Sequence, residues 1–173
     1  KGNVSQYFEY RKDFNVQQGS GSGKYSTGLV FVGYGISAPN FGYDDYANIS
    51  VAGKIAIAIV GAPPDNRLGD HVAWYSKAQT AVNHGAIGII LVDSAVNPTP
   101  HYVERWNGGW SIYDEFVILR GSLALVDTLL NGEGWTLLAL QKAIDHQIEP
   151  NSRTLSSRIQ VSVNATLTNA ATA

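Results

Sequence analysis

The chain has 173 residues, of which 45% are hydrophobic and 15% charged, with a net charge of -2. This is long enough for one domain with its own core, and the composition excludes a disordered chain. No basic run offers a surface to nucleic acid or anionic membrane, and no apolar run approaches the roughly 18–20 residues of a membrane span.

In chain order, Gln6 to Phe14 is predicted as an edge strand, and residues 17 to 24, with Gly19-Ser20-Gly21-Ser22-Gly23, as a flexible loop. Leu29 to Ile36 is rich in β-branched and aromatic residues and predicts a strand, with Gly33 and Gly35 marking a bulge or a close backbone approach. After a Pro39/Gly42 turn cluster and Tyr43-Asp44-Asp45-Tyr46, Gly53 opens Lys54 to Val60. This continuous apolar run suits a strand covered on both faces. Ser76 to His84 predicts a helix with Ala78, Ala81 and Val82 on one face, ended by Gly85 in a left-handed conformation. Ala86 to Val92 is the next buried strand. A strand-helix-strand order of this kind makes the two strands parallel neighbours.

Asp93 to Asp114 reads as a long irregular stretch. Glu115 to Leu119 predicts a short strand, Leu123 to Leu130 and Leu137 to His146 two amphipathic helices, and Arg158 to Leu167 an alternating, half-exposed strand. There is no internal repeat.

Chemistry-bearing patterns are few. The chain has no cysteine, which excludes disulfides, thiolate zinc sites and cysteine nucleophiles. His71, His84, His101 and His146 have no metal-binding neighbour at a useful spacing, and His84 and His146 stand where a cation suits a helix C-terminus. Asp44-Asp45 could bind calcium or share a proton, but the pattern of a calcium loop is missing, and turn and cap chemistry is the simpler role. Asp70-His71 lacks a serine in a nucleophile elbow, and the Gly/Ser loop lacks the Gly-Lys-Ser/Thr of a phosphate loop. Asn3-Val4-Ser5, Asn48-Ile49-Ser50 and Asn164-Ala165-Thr166 fit the N-glycosylation pattern. Tyr102, Trp106, Trp110 and Tyr113 stand in a polar, Gly/Pro-containing region, where aromatics either pack within the chain or contact a partner or substrate.

The order of these pieces resembles the protease-associated domain inserted in co-catalytic two-zinc aminopeptidases. The residues that carry the resemblance are Val30 to Ile36 with Gly33 and Gly35, Gly42-Tyr43-Asp44-Asp45-Tyr46, and Val51-Ala52-Gly53-Lys54-Ile55. They continue through Lys77-Ala78, Ala81 and Gly85-Ala86-Ile87-Gly88-Ile89-Ile90-Leu91-Val92, over roughly residues 28 to 168 of a single domain. The resemblance implies an α/β fold with a curved or barrel-like sheet and flanking helices. It implies no catalytic residue, metal ligand or cofactor in this chain, because the zinc ligands would belong to peptidase segments on either side. The implied partners are the peptidase catalytic domain of the same polypeptide and a peptide or protein substrate, in a secreted or periplasmic setting. The chain starts at Lys1, contains no methionine and shows no signal peptide, and is expected to be a piece of a longer polypeptide.

An accessory domain that shapes substrate access or recruits partners is therefore the leading expectation. A stand-alone peptide- or glycan-binding module and a hydrolase with an unrecognised site are the alternatives. Protein purified without chelator is expected to hold no stoichiometric zinc or calcium by elemental analysis, since no ligand set has suitable spacing; one tightly held metal per chain defeats that expectation.

Overall fold

In a computed structural model that describes residues 6–17, 19–96 and 114–164, the chain forms β1 (Phe14–Val16), β2 (Gly23–Phe31), β3 (Ser37–Ala38), β4 (Tyr43–Asp44), β5 (Ile55–Ile59), α1 (Trp74–Asn83), β6 (Gly88–Val92), β7 (Val117–Gly121), α2 (Leu123–Asn131), α3 (Leu137–Gln147) and β8 (Arg153–Val163). Short 3-10 turns occupy Pro39–Phe41 and Asn66–His71. Six strands make a mixed sheet in the order β1-β7-β6-β5-β2-β8, curled into a half-barrel. The inner four, β7, β6, β5 and β2, are mutually parallel, and the edge strands β1 and β8 run antiparallel to them. The fold is α/β, with β3 and β4 as a separate small ladder.

The pleat sends alternate residues of the central strands into two different cores. On one face, Leu29, Phe31, Ile55, Ile57, Ile59, Ile90 and Val92 meet the apolar stripes of α2 and α3, including Val126, Leu130, Leu137 and Ile144. On the other, Val30, Val32, Ala56, Ala58, Ile89 and Leu91 meet Ala78 and Ala81 of α1. Both faces being covered, these strands read as unbroken apolar runs rather than as alternating ones.

Helix ends follow local chemistry. Ser122 Oγ accepts from Leu125 N and Thr136 Oγ1 from Ala139 N, each capping the first turn of its helix. At the end of α1, Ala86 N donates to Ala81 O (3.0 Å) and Gly85 N to Val82 O (2.8 Å), a Schellman closure. It requires φ of +80° at Gly85, and that residue's carbonyl then accepts from Gly53 N (2.9 Å), joining the entries to β5 and β6.

Several boundaries differ from the sequence expectation. Of the strand expected over Gln6 to Phe14, only Phe14 belongs to a strand, with Tyr10 in an isolated bridge to it. Asp13 turns back on Glu9, its amide donating to Glu9 O and its carboxylate accepting from Glu9 N (2.8 Å each), and such local side-chain bonds compete with a ladder. The Gly/Ser stretch is partly built into the sheet: β2 already starts at Gly23, and buried Ser20 accepts from Ile118 N through its hydroxyl (2.9 Å). β2 ends at Phe31 rather than Ile36, because the chain turns at Gly33. β8 starts five residues before Arg158, held by its antiparallel register with β2, and α1 starts at Trp74 rather than Ser76.

Gly85→Val is expected to lower stability by about 1–2 kcal/mol or more, from backbone strain, since a β-carbon there meets Ala52 only at an ordinary 3.4 Å. Urea melts of the two proteins check this; an unchanged midpoint means Gly85 is not under that constraint.

Candidate functional site

Lys77 lies on the buried stripe of α1 beside Ala78 and Ala81, with 0% of its surface exposed. A charge buried without partners is costly, so its ammonium must find acceptors. It donates to Tyr34 O (2.5 Å) in the turn after β2 and to Gly61 O (2.6 Å) after β5, and it lies 5.8 Å from the centre of the Tyr34 ring. Both carbonyls stand at the C-terminal end of the parallel strands.

Asp45, 1% exposed, is the buried counter-charge. Its carboxylate accepts from Ile36 N and from the Tyr43 hydroxyl (3.0 Å each), while its own amide donates to Ile36 O (2.8 Å). Its carbonyl accepts from Ser152 Oγ (2.6 Å), which ties in the approach to β8. Asp44 instead turns outward and accepts from Tyr46 N (3.0 Å).

The network continues through Tyr34 into α3. The Tyr34 hydroxyl donates to Asp145 Oδ1 (2.6 Å) and accepts from Gln141 Nε2 (3.1 Å). Gln141 also donates to Ser94 Oγ (2.8 Å) and accepts from Ala95 N (2.7 Å) in the segment after β6. Beside it, Arg120 of β7 pairs with Asp93. One polar knot thus crosses the turn after β2, β4, α1, α3 and the exits of β5 and β6.

Burial is the first cause of the shifted ionisations. It pushes the Asp45 carboxyl up from 3.8 to about 7, against the bonds from Ile36 and Tyr43 and the charge of Lys77. It pushes Lys77 down from 10.5 to about 7, against the pull of Asp45. The Tyr34 hydroxyl is raised by burial and then by Asp145, and that of Tyr43 by burial and then by Asp45. A lysine so depressed has nucleophilic character, yet a fully buried amine bonded to two carbonyls meets no reagent from solvent. In this arrangement the polar groups cross-link secondary structure.

The sequence-singled residues fall into three groups. Gly33, Gly35, Asp45 and Tyr46 come together around this knot. Gly33 has a φ of +51°, and a β-carbon on it would stand 2.5 Å from Asp45 Oδ1; one on Gly35 would stand 3.0 Å from Ala58 Cβ. Tyr46 is buried and stacks on the His84 ring at 4.3 Å. Gly53, Lys54 and Gly85 sit at the other end of the strands, where Lys54 Nζ donates to Ser50 O (2.9 Å). Tyr102, Trp106, Trp110 and Tyr113 lie outside the described residues. Sequence reasoning gave no role to Lys77, Gln141 and Asp145. The available signal was position: Lys77 shares the Ala78/Ala81 face, and Gln141 stands between Leu137, Leu140 and Ile144 on a buried stripe. Among the described residues, no three His, Cys, Asp or Glu side chains gather as metal ligands, and no helix is long and apolar enough to cross a membrane.

No protein-family model matches the chain, and no curated protein is similar to it. Among solved structures, it is similar to the aminopeptidase from Aneurinibacillus sp. strain AM-1, with 21% identity and a TM-score of 0.47, over 69% of this chain and 24% of that one. The chain thus spans a minor part of that protein's length, and a likeness of this degree carries no argument about activity.

Asp45→Ala is expected to cost about 1–3 kcal/mol or more, because it strands the buried Ile36 amide and Tyr43 hydroxyl that its carboxylate satisfies. The two buried ionisations also have opposite pH signatures. From pH 3.8 to about 7 the folded chain keeps a proton on Asp45 that the unfolded chain releases, so this contribution to stability falls as pH rises. From about 7 to 10.5 the unfolded chain keeps a proton that Lys77 has lost, so stability rises. Urea unfolding across this range is expected to show the alkaline rise in the native protein and not in Lys77→Met. The same limb in both proteins counts against the buried-lysine account.

Proposed function

We propose that the chain is a non-catalytic protease-associated domain of an exported zinc aminopeptidase, acting on the parent enzyme by shaping substrate access or by holding a protein or peptide contact. The observation that carries this reading is the convergence of the residues on which the resemblance rests. Val32 to Ile36, Tyr43 to Tyr46 and Lys77-Ala78 are spread over nearly fifty positions, yet they build one buried knot. Asp45, the most acidic-site-like residue of the motif, is occupied with backbone and tyrosine rather than turned to solvent. Motif residues used in this way support a scaffold role and leave zinc and hydrolysis to the peptidase segments of the same polypeptide. The parent reaction would be removal of N-terminal residues from peptides.

In the full polypeptide, excising this domain is expected to leave turnover of a small aminoacyl chromogen within a few-fold, while kcat/KM for longer peptides changes by about tenfold or more, corresponding to about 1.4 kcal/mol of transition-state binding. Parallel changes on both substrates remove the access role. Turnover by the isolated chain that survives chelation and further purification overturns the non-catalytic assignment.

A further inference from the structure

Of the three Asn-x-Ser/Thr triplets, Asn48-Ile49-Ser50 lies wholly within the described residues. Asn48 and Ser50 are exposed, whereas Ile49 between them packs against the α1-side core. The triplet is slung between two buried residues, Tyr46 and Val51, so its ends are anchored and its apex faces solvent. The turn itself is loosely bonded: Ala47 N to Asp44 O and Ile49 N to Tyr46 O are each 3.4 Å, near the limit of a hydrogen bond.

Asparagine in a turn commonly spends its side chain on nearby backbone. Asp44, four residues earlier, does so with Tyr46 N. Asn48 does not: among the described residues neither its amide nor the Ser50 hydroxyl has a partner, and Lys54 takes only the Ser50 carbonyl. An uncommitted amide and a hydroxyl two residues on, at a solvent-facing apex, are the groups that N-glycosylation requires.

We propose that Asn48 is an acceptor for an N-linked glycan, with Ser50 as its recognition residue. Asn48 Nδ2 forms a bond to the anomeric carbon of an oligosaccharide carried on a lipid diphosphate. The anomeric carbon–oxygen bond breaks, the lipid diphosphate leaves with the electron pair, and the amide proton passes to a base of the transferase. The turn precedes Gly53, at the entry to β5, whereas Gly61 of the polar knot follows the exit of that strand. The proposal rests on export only in that the chain must meet such a donor, and the following experiment supplies that compartment independently of the proposed parent enzyme.

The 173-residue chain would be secreted from yeast behind a heterologous signal peptide, treated with peptide-N-glycosidase, and mapped by mass spectrometry for the Asn-to-Asp conversion. Asn48 is expected to be occupied in most molecules. Asn48→Gln and Ser50→Ala are expected to abolish the modification, Ser50→Thr to keep it, and none of the three to shift the melting temperature of the deglycosylated protein. Secreted, folded protein with Asn48 unmodified overturns the proposal, as does a glycan at Asn48 that persists in Ser50→Ala.

Discussion

The ammonium of Lys77 is fully buried from bulk solvent, and much of the structure follows from that. Burying a charge costs several kcal/mol unless fixed dipoles or a counter-charge replace its hydration. The replacements come from separate loops, the Tyr34 carbonyl after β2 and the Gly61 carbonyl after β5. Each loop must therefore present its carbonyl inward. Asp45 supplies the opposing charge, and its carboxylate is so close to the turn that Gly33 has room for no β-carbon. The glycine is dictated by the aspartate, and the aspartate answers the lysine.

The two faces of the sheet are built differently, and the difference serves this arrangement. The α2/α3 face uses large apolar side chains: Leu29, Phe31, Ile55, Ile57 and Ile90 against leucines and Ile144. The α1 face uses Ala56 and Ala58 against Ala78 and Ala81. Small residues on both sides let helix and sheet approach closely. A lysine on the same stripe can then lay its chain along the apolar surface and still place its head among the carbonyls at the strand ends. Ala58 in turn leaves little room for a side chain at Gly35, where an added β-carbon would stand 3.0 Å from Ala58 Cβ.

The knot also couples the two layers. Tyr34 is held on one side by the Lys77 contact and on the other by Gln141 and Asp145 of α3, so α1 and α3, on opposite faces, share one tyrosine. Networks of this kind in a low dielectric gain strength when every member is satisfied and fail together when one is removed. A domain cross-linked in this way keeps its surface geometry fixed, which is the property the proposed accessory role calls for.

Periodicity and turn chemistry made most of the fold legible. The runs through Ile55–Ile59 and Gly88–Val92 read as buried strands, the helix between them made these strands parallel, and Gly85 marked its end, because each signal is local and depends on burial or φ alone. Strand ends were less legible: β2 starts at Gly23 and β8 at Arg153 because the two pair with each other across more than a hundred residues. The candidate site was legible only in pieces. Asp45 read as a turn residue and Gly33 as a bulge or close backbone approach, while Lys77 entered only with the residues that carry the resemblance and had no role of its own. That the three belong to one buried network, joined by Gln141 and Asp145, was decided by tertiary structure. A sequence records that a side chain can ionise or donate, whereas the partner that makes its burial tolerable is set by which distant carbonyl or carboxylate the fold brings within about 3 Å.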